Sequence, residues 1–142
     1  MAAPKLVKEI MVTNLTTLDV GQNLLDAALL ARSVGYRHFP VVKDGRLVGV
    51  LSDRDIHRAA PSIFSKLEPE EYNRIFETTP IEKVMAVDPQ TVTPDTPIRT
   101  VVELMHEKKY GCVLVIGADK KLVGIVTTTD LLALLGKLLP GK

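Results

Sequence analysis

Apolar and polar positions follow one arrangement along the chain, and that arrangement occurs twice. Val7-Lys8-Glu9-Ile10-Met11 is matched 74 residues later by Ile81-Glu82-Lys83-Val84-Met85, Thr17-Leu18 by Thr91-Val92, and Val41-Val42 by Val115-Ile116. After one extra residue near Ala118, Leu47-Val48-Gly49-Val50-Leu51-Ser52 is matched by Leu122-Val123-Gly124-Ile125-Val126-Thr127, and Asp55 by Asp130. Most other apolar positions exchange only with apolar ones, which marks a duplication.

Each copy predicts the same elements. A short extended piece, Thr17–Val20 or Thr91–Thr93, leads into an amphipathic helix. In the second copy Ile98, Val101, Val102 and Met105 form the i, i+3, i+4, i+7 stripe of a core-facing helix, with Thr96 at the N-cap and Pro97 in the first turn. The first copy has Leu24, Ala27, Ala28 and Ala31 at matching places. Two apolar runs follow, Phe39–Val42 with Leu47–Leu51, or Cys112–Ile116 with Leu122–Val126. Lys43-Asp44-Gly45 joins the first pair and Gly117-Ala118-Asp119-Lys120 the second; Asp-Gly between apolar runs is a strong hairpin signal. A closing helix begins near Arg54 or Thr129.

The unit reads β-α-β-β-α, an α+β class. One unit of about 53 residues buries too little surface to be comfortable alone, so the expectation is two units paired about a pseudo-twofold axis. The predicted domains are 6–60 and 81–139, with a polar connector over 61–80 in which Glu68–Phe76 predicts a short helix.

The closing segments carry the chemistry: Gly49-Val50-Leu51-Ser52-Asp53-Arg54-Asp55 and Gly124-Ile125-Val126-Thr127-Thr128-Thr129-Asp130. Ser/Thr-x-x-Asp at a strand-to-helix junction is a capping box, in which hydroxyl and acid satisfy free amides at the helix start. A helix start also offers its amides and positive dipole end to an anion. The two uses are compatible, and the full pattern at equivalent places in a duplicated unit narrows the reading. It resembles the cystathionine-β-synthase-type (CBS) domain pair, or Bateman module, over residues 6–139. The Met11 and Met85 openings and the Arg37-His38-Phe39-Pro40-Val41-Val42 strand support this. The segment from Arg58 to Tyr72 is similar to that of stand-alone CBS-pair proteins of the acetoin-utilisation type.

That resemblance implies an adenine nucleotide or S-adenosylmethionine in clefts between the copies. Asp55 and Asp130 would accept both ribose hydroxyls, since a carboxylate has two acceptor oxygens and a vicinal diol two donors. Ser52 and Thr127 would contact sugar or phosphate, and Val50 and Ile125 would flank the base. Each cleft would borrow backbone from the other copy's opening: Met85 to Gln90 opposite Ser52 and Asp55, and Met11 to Thr16 opposite Thr127 and Asp130. Arg37, His38 and Arg54, with Asp53 inside the motif, mark the first copy's cleft for a phosphorylated ligand. The second copy has Gly111, Cys112 and Thr129 at the places of Arg37, His38 and Arg54.

Composition narrows the remaining classes. Eighteen Lys+Arg against seventeen Asp+Glu leave a net charge of +1, with no basic excess to drive nucleic-acid binding. His38, His57 and His106 match no zinc spacing, and the single Cys112 reads as a small buried hydrophobe in a reducing compartment. No nucleophile elbow, phosphate loop or acid–base pair at catalytic spacing is present, so the expectation is a protein that is not an enzyme and uses no cofactor. Residues 1–5 lack a signal-peptide apolar run, and Leu131–Leu139 falls short of the ~20 residues of a membrane span; a cytoplasmic chain is expected. Leu131, Leu132, Leu134, Leu135, Leu138 and Leu139 cover more than one helix face, which requires burial in the chain's own core or in a homodimer, and the resemblance supports the dimer. The functional expectation is a sensor that passes its signal to a separate effector protein. The alternative is a ligand-independent dimerisation or scaffold module whose Ser/Thr-x-x-Asp motifs are helix caps only.

Overall fold

The computed structural model describes residues 3–35, 37–61 and 66–141. It divides into two compact units whose boundaries cut across the duplication: Thr16–Asp88 forms one, and Met1–Leu15 with Pro89–Lys142 forms the other. Each unit therefore holds the body of one copy and the opening segment of the other.

In the first unit, β1 (Leu18–Asp19) pairs in parallel with β2 (His38–Lys43). Strand β2 forms an antiparallel hairpin with β3 (Arg46–Ser52). At the turn Asp44 has φ 52° and Gly45 φ 79°, the double left-handed conformation that matches the twist of a two-residue hairpin. Helix α1 (Leu24–Val34) connects β1 to β2, and α2 (Asp53–Ala59) follows β3. Leu18, Leu24, Ala27, Phe39, Val41, Leu51 and Ile56 make the core. The predicted connector helix is α3 (Pro69–Thr78), opened by its proline; residues 62–65 of the connector lie outside the described residues. Helix α3 packs on the body, with Phe76 against the core and the Asn23 Nδ2 donating to Glu77 O at 3.1 Å.

The opening segment of the second copy completes this unit. Leu24 N–H donates to Thr79 O at 2.8 Å, Ile81 N–H donates to Gln22 O at 3.0 Å, and Ile81 is fully buried in the core. A buried isoleucine contributes about 1.5–3 kcal/mol, enough to fix so short a segment. Strand β4 (Ala86–Val87) then adds to the edge of β3, pairing Val87 with Gly49 and Ala86 with Val50.

The second unit repeats this construction. Strand β5 (Thr91–Val92) runs parallel to β6 (Cys112–Ile116), which forms a hairpin with β7 (Leu122–Thr127). Helices α4 (Ile98–Lys108) and α5 (Thr128–Leu138) complete it. Val92, Val101, Met105, Val113, Val115 and Val126 form the core with Val7 from the opening segment. Here Val7 N–H donates to Thr96 O at 2.9 Å and Ile98 N–H to Lys5 O at 2.8 Å, the same exchange seen in the first unit. Val12 bridges Ile125 through two hydrogen bonds of 2.9 and 3.0 Å.

Two details differ from the sequence expectations, at Thr96 and at Val102. Thr96 is not the N-cap of α4. Pro97 is, without a side-chain cap, while Thr96 Oγ1 accepts from Thr93 N–H at 3.0 Å. The amide of Ile98 instead finds its acceptor in Lys5 O, a partner from the other end of the chain. Val102 is exposed, so the buried stripe is Ile98, Val101 and Met105, with Leu104 partly buried beside it. On α5 only Leu131 packs against the core; Leu132, Leu135, Leu138 and Leu139 are half or more exposed. Gly35 closes α1 at φ 72°, whereas its repeat counterpart Lys109 closes α4 at φ 58°, a left-handed conformation that is costly for a residue with a Cβ.

Candidate functional site

Both closing motifs stand at the same structural position, where the last hairpin strand turns into the unit's final helix. Ser52 and Thr127 are extended N-cap residues, with ψ of 163° and 167°. Asp55 N–H donates to Ser52 Oγ at 3.1 Å, and Ser52 N–H and Oγ both donate to Asp55 Oδ2 at 2.8 Å. In the second unit Asp130 N–H donates to Thr127 Oγ1 at 3.4 Å. Thr127 N–H and Oγ1 donate to Asp130 Oδ2 at 2.8 and 3.0 Å. The capping boxes are thus real in both copies.

They use one carboxylate oxygen and leave the other. Among the described residues Oδ1 of neither aspartate receives a hydrogen bond, and both residues are part-buried. An anionic oxygen held at a fixed place, with its lone pairs free, can accept from ligand hydroxyls without disturbing the cap.

The β2 start frames the first motif. His38 pairs in register with Ser52, and Asp53 N–H donates to Arg37 O at 3.0 Å. Cys112 pairs with Thr127, and Thr128 N–H donates to Gly111 O at 3.1 Å, so the backbone frame is the same in the second unit. Only the side chains differ. Burial pushes the His38 imidazole below its ordinary range; Asp53 and Asp55 oppose that push, while Arg37 and Arg54 add to it. Arg37 and Arg54 are exposed. Burial pushes the Cys112 thiol up to about 12, which makes it a packing group.

The opening segments meet the motifs through methionine and glycine. A Cβ built on Gly49 would lie 2.6 Å from Met85 Sδ and 2.9 Å from Ala86 O. On Gly124 it would lie 2.7 Å from Met11 Sδ. The motif glycine is thus the seat on which the other copy's opening methionine rests. That role went unread in the sequence, although Met11, Met85, Gly49 and Gly124 all stand at repeat-equivalent places. Val50 lies beside Ala86 and Ile125 beside Val12 on the strands next to those seats.

Not every predicted residue joins its motif. Gln90 belongs to the unit of Thr127 and Asp130, where its carbonyl accepts from Leu114 N–H at 3.1 Å. Thr16 belongs to the unit of Ser52 and Asp55. Among the described residues no group of three or more His, Cys, Asp or Glu side chains could hold a metal ion, and no helix is long and apolar enough to cross a membrane.

Comparison with known proteins meets this geometry. The family model of the CBS domain matches residues 7–62 and again 81–137. A CBS domain-containing protein of Dictyostelium discoideum is 32% identical over 136 residues, covering 94% of this chain and 93% of that protein. The crystal structure of a Vibrio cholerae protein assigned to acetoin utilization (AcuB) is 30% identical with a TM-score of 0.78, covering 96% of this chain and 93% of that one. The CBS domain pair of protein MJ0100, solved with 5′-methylthioadenosine and S-adenosyl-L-methionine, is 27% identical with a TM-score of 0.78 and covers 96% of this chain and all of that one. In several longer relatives the chain spans about a quarter of the protein.

Proposed function

The chain belongs to the CBS-domain family, and from that premise we propose that it is a regulatory sensor of adenine nucleotides rather than an enzyme. The observation that carries this is the divided carboxylate. In each unit an aspartate is held by its cap through Oδ2, while Oδ1 is left to accept from a ribose diol. Asp55 and Asp130 bind the sugar, Ser52 and Thr127 reach sugar or phosphate, and Val50 and Ile125 flank the base. The segments starting at Met85 and Met11 supply backbone beside them. Arg37 and Arg54, beside His38 and Asp53, give the Ser52 site the positive charge suited to a phosphorylated ligand. The Thr127 site is either empty or takes a ligand with less phosphate. A CBS pair 27% identical to this chain carries adenosyl ligands, which supports the class of ligand.

Thermal unfolding tests this directly. AMP, ADP, ATP and S-adenosylmethionine are compared, with GTP as control. A ligand at 100-fold its dissociation constant adds about 2.7 kcal/mol to the native state. For a chain of this size the midpoint rises by on the order of ten degrees. If no adenine compound shifts a protein checked free of bound nucleotide, the sensor reading fails.

The capping boxes themselves favour a second reading, a scaffold in which these motifs only start helices. Both readings use a homodimer, which we propose as the cover for Leu132, Leu135, Leu138 and Leu139 on α5. Sedimentation is expected to show twice the chain mass, and Leu135→Glu to give the single-chain mass. A single-chain mass for the unaltered protein removes the dimer from the proposal. A cytoplasmic setting and a separate effector complete it, and retention of an effector from a lysate only with ligand present is their test.

A further inference from the structure

The methionine seats assign a function to sulfur: we propose that Met11 and Met85 are paired sites of reversible oxidation to methionine sulfoxide by peroxides. The two residues are repeat equivalents, each part-buried on the outer segment of its unit. Each packs against its unit's core, and its segment joins the sheet edge through the two-residue pairing of β4 in one unit and the Val12–Ile125 bridge in the other. Neighbouring Val87 and Val12 are 64% and 38% exposed, so solvent reaches both segments. Met105 provides the contrast, enclosed in the second unit's core at 6% exposure. Cys112 does not compete, because its buried thiol is not a thiolate.

Hydrogen peroxide transfers one oxygen to the thioether sulfur; an S–O bond forms as the O–O bond breaks. Sulfur is oxidised by two electrons and the peroxide is reduced to water. The product is polar and larger. Each sulfur rests directly on its glycine, within 2.6 or 2.7 Å of where a Cβ would stand, so the close contact depends on an apolar thioether. The new oxygen is a strong hydrogen-bond acceptor set against an apolar glycine face. The opening segment then lifts from β3 or β7, while Ile81 and Val7 keep its other end anchored. Sulfoxide reductases, one for each epimer, reverse the step: a dithiol gives two electrons and becomes a disulfide, the S–O bond breaks, and the oxygen leaves as water. None of this depends on the identity of a bound nucleotide.

The test treats the whole chain with hydrogen peroxide and follows each methionine by peptide mass mapping beside the unfolding midpoint. Met11 and Met85 are expected to oxidise at least about tenfold faster than Met105, as exposure dictates. The midpoint is expected to fall by on the order of 5 °C, and to return after treatment with the two reductases. A chain carrying both Met11→Leu and Met85→Leu should keep its midpoint in peroxide, with oxidation at Met1 common to both proteins. If that chain does not fold, each single variant should lose part of the peroxide effect. The proposal is overturned if Met105 keeps pace, if both sites oxidise fully without a change in midpoint, or if the leucine variants respond to peroxide like the unaltered chain.

Discussion

Asp55→Asn is expected to weaken binding of a phosphorylated adenosine by roughly 10- to 100-fold, while moving the unfolding midpoint of the ligand-free protein by only about a degree or two. The separation follows from how the carboxylate is divided. Asparagine keeps one carbonyl oxygen, which can accept from the Ser52 N–H and hydroxyl as Oδ2 does now. What it loses is the charge and the second acceptor, whose place is taken by an NH2 that cannot accept from a ribose hydroxyl. Titration calorimetry gives the affinity and thermal unfolding the stability. Asp130→Asn should leave this affinity in place, because its carboxylate belongs to the other unit. An unchanged affinity together with a large loss of stability would leave Asp55 as a helix cap and favour the scaffold.

The second large effect is steric. Gly49→Ala is expected to destabilise the chain by about 1–3 kcal/mol, the usual cost of overpacking a filled site. The new methyl group meets Met85 Sδ at 2.6 Å and, more seriously, the carbonyl of Ala86 at 2.9 Å. A methionine can swing away; a backbone carbonyl paired into the sheet edge cannot. Gly124→Ala should cost less, since the three nearest atoms there all belong to the Met11 side chain. Denaturant titration compares the two. Adding Met11→Ala should recover much of the Gly124→Ala loss, whereas Met85→Ala should recover only part of the Gly49→Ala loss. Equal costs at the two glycines, or full recovery at both, would contradict this account of the seats.

Local signals in the sequence reached far into this structure, and they failed where a distant partner intervened. The duplication is readable because the same local pattern recurs, and the Asp44-Gly45 hairpin and both capping boxes because their partners lie within a few residues. The α3 start is readable for the same reason, from Pro69 and the acids after it. Thr96 was placed at an N-cap because it is a good capping residue next to a proline. The structure satisfies Ile98 from Lys5, more than ninety residues away, and no short window contains that. Val102 fits the helical period, yet α4 buries a narrower stripe than the period permits, ending at Met105. Residue type and spacing point to the motif aspartates as helix caps, and the family resemblance adds the ligand role proposed for them. The glycines were quoted as part of the pattern, but their purpose requires the methionine of the other copy, which only the fold brings near.

The crossing of opening segments also has a consequence for how the protein is made. Thr16–Asp88 is continuous, so that unit has all its strands once a single stretch of chain has left the ribosome. The other unit joins residues from both ends. At ordinary rates of synthesis, Val7 and Met11 wait roughly ten seconds for the strands that will cover them. Its closure is also a long-range event, which folds more slowly than local pairing. The chain is thus born with a built-in order, one half assembled early while the other half's opening segment waits for its partners.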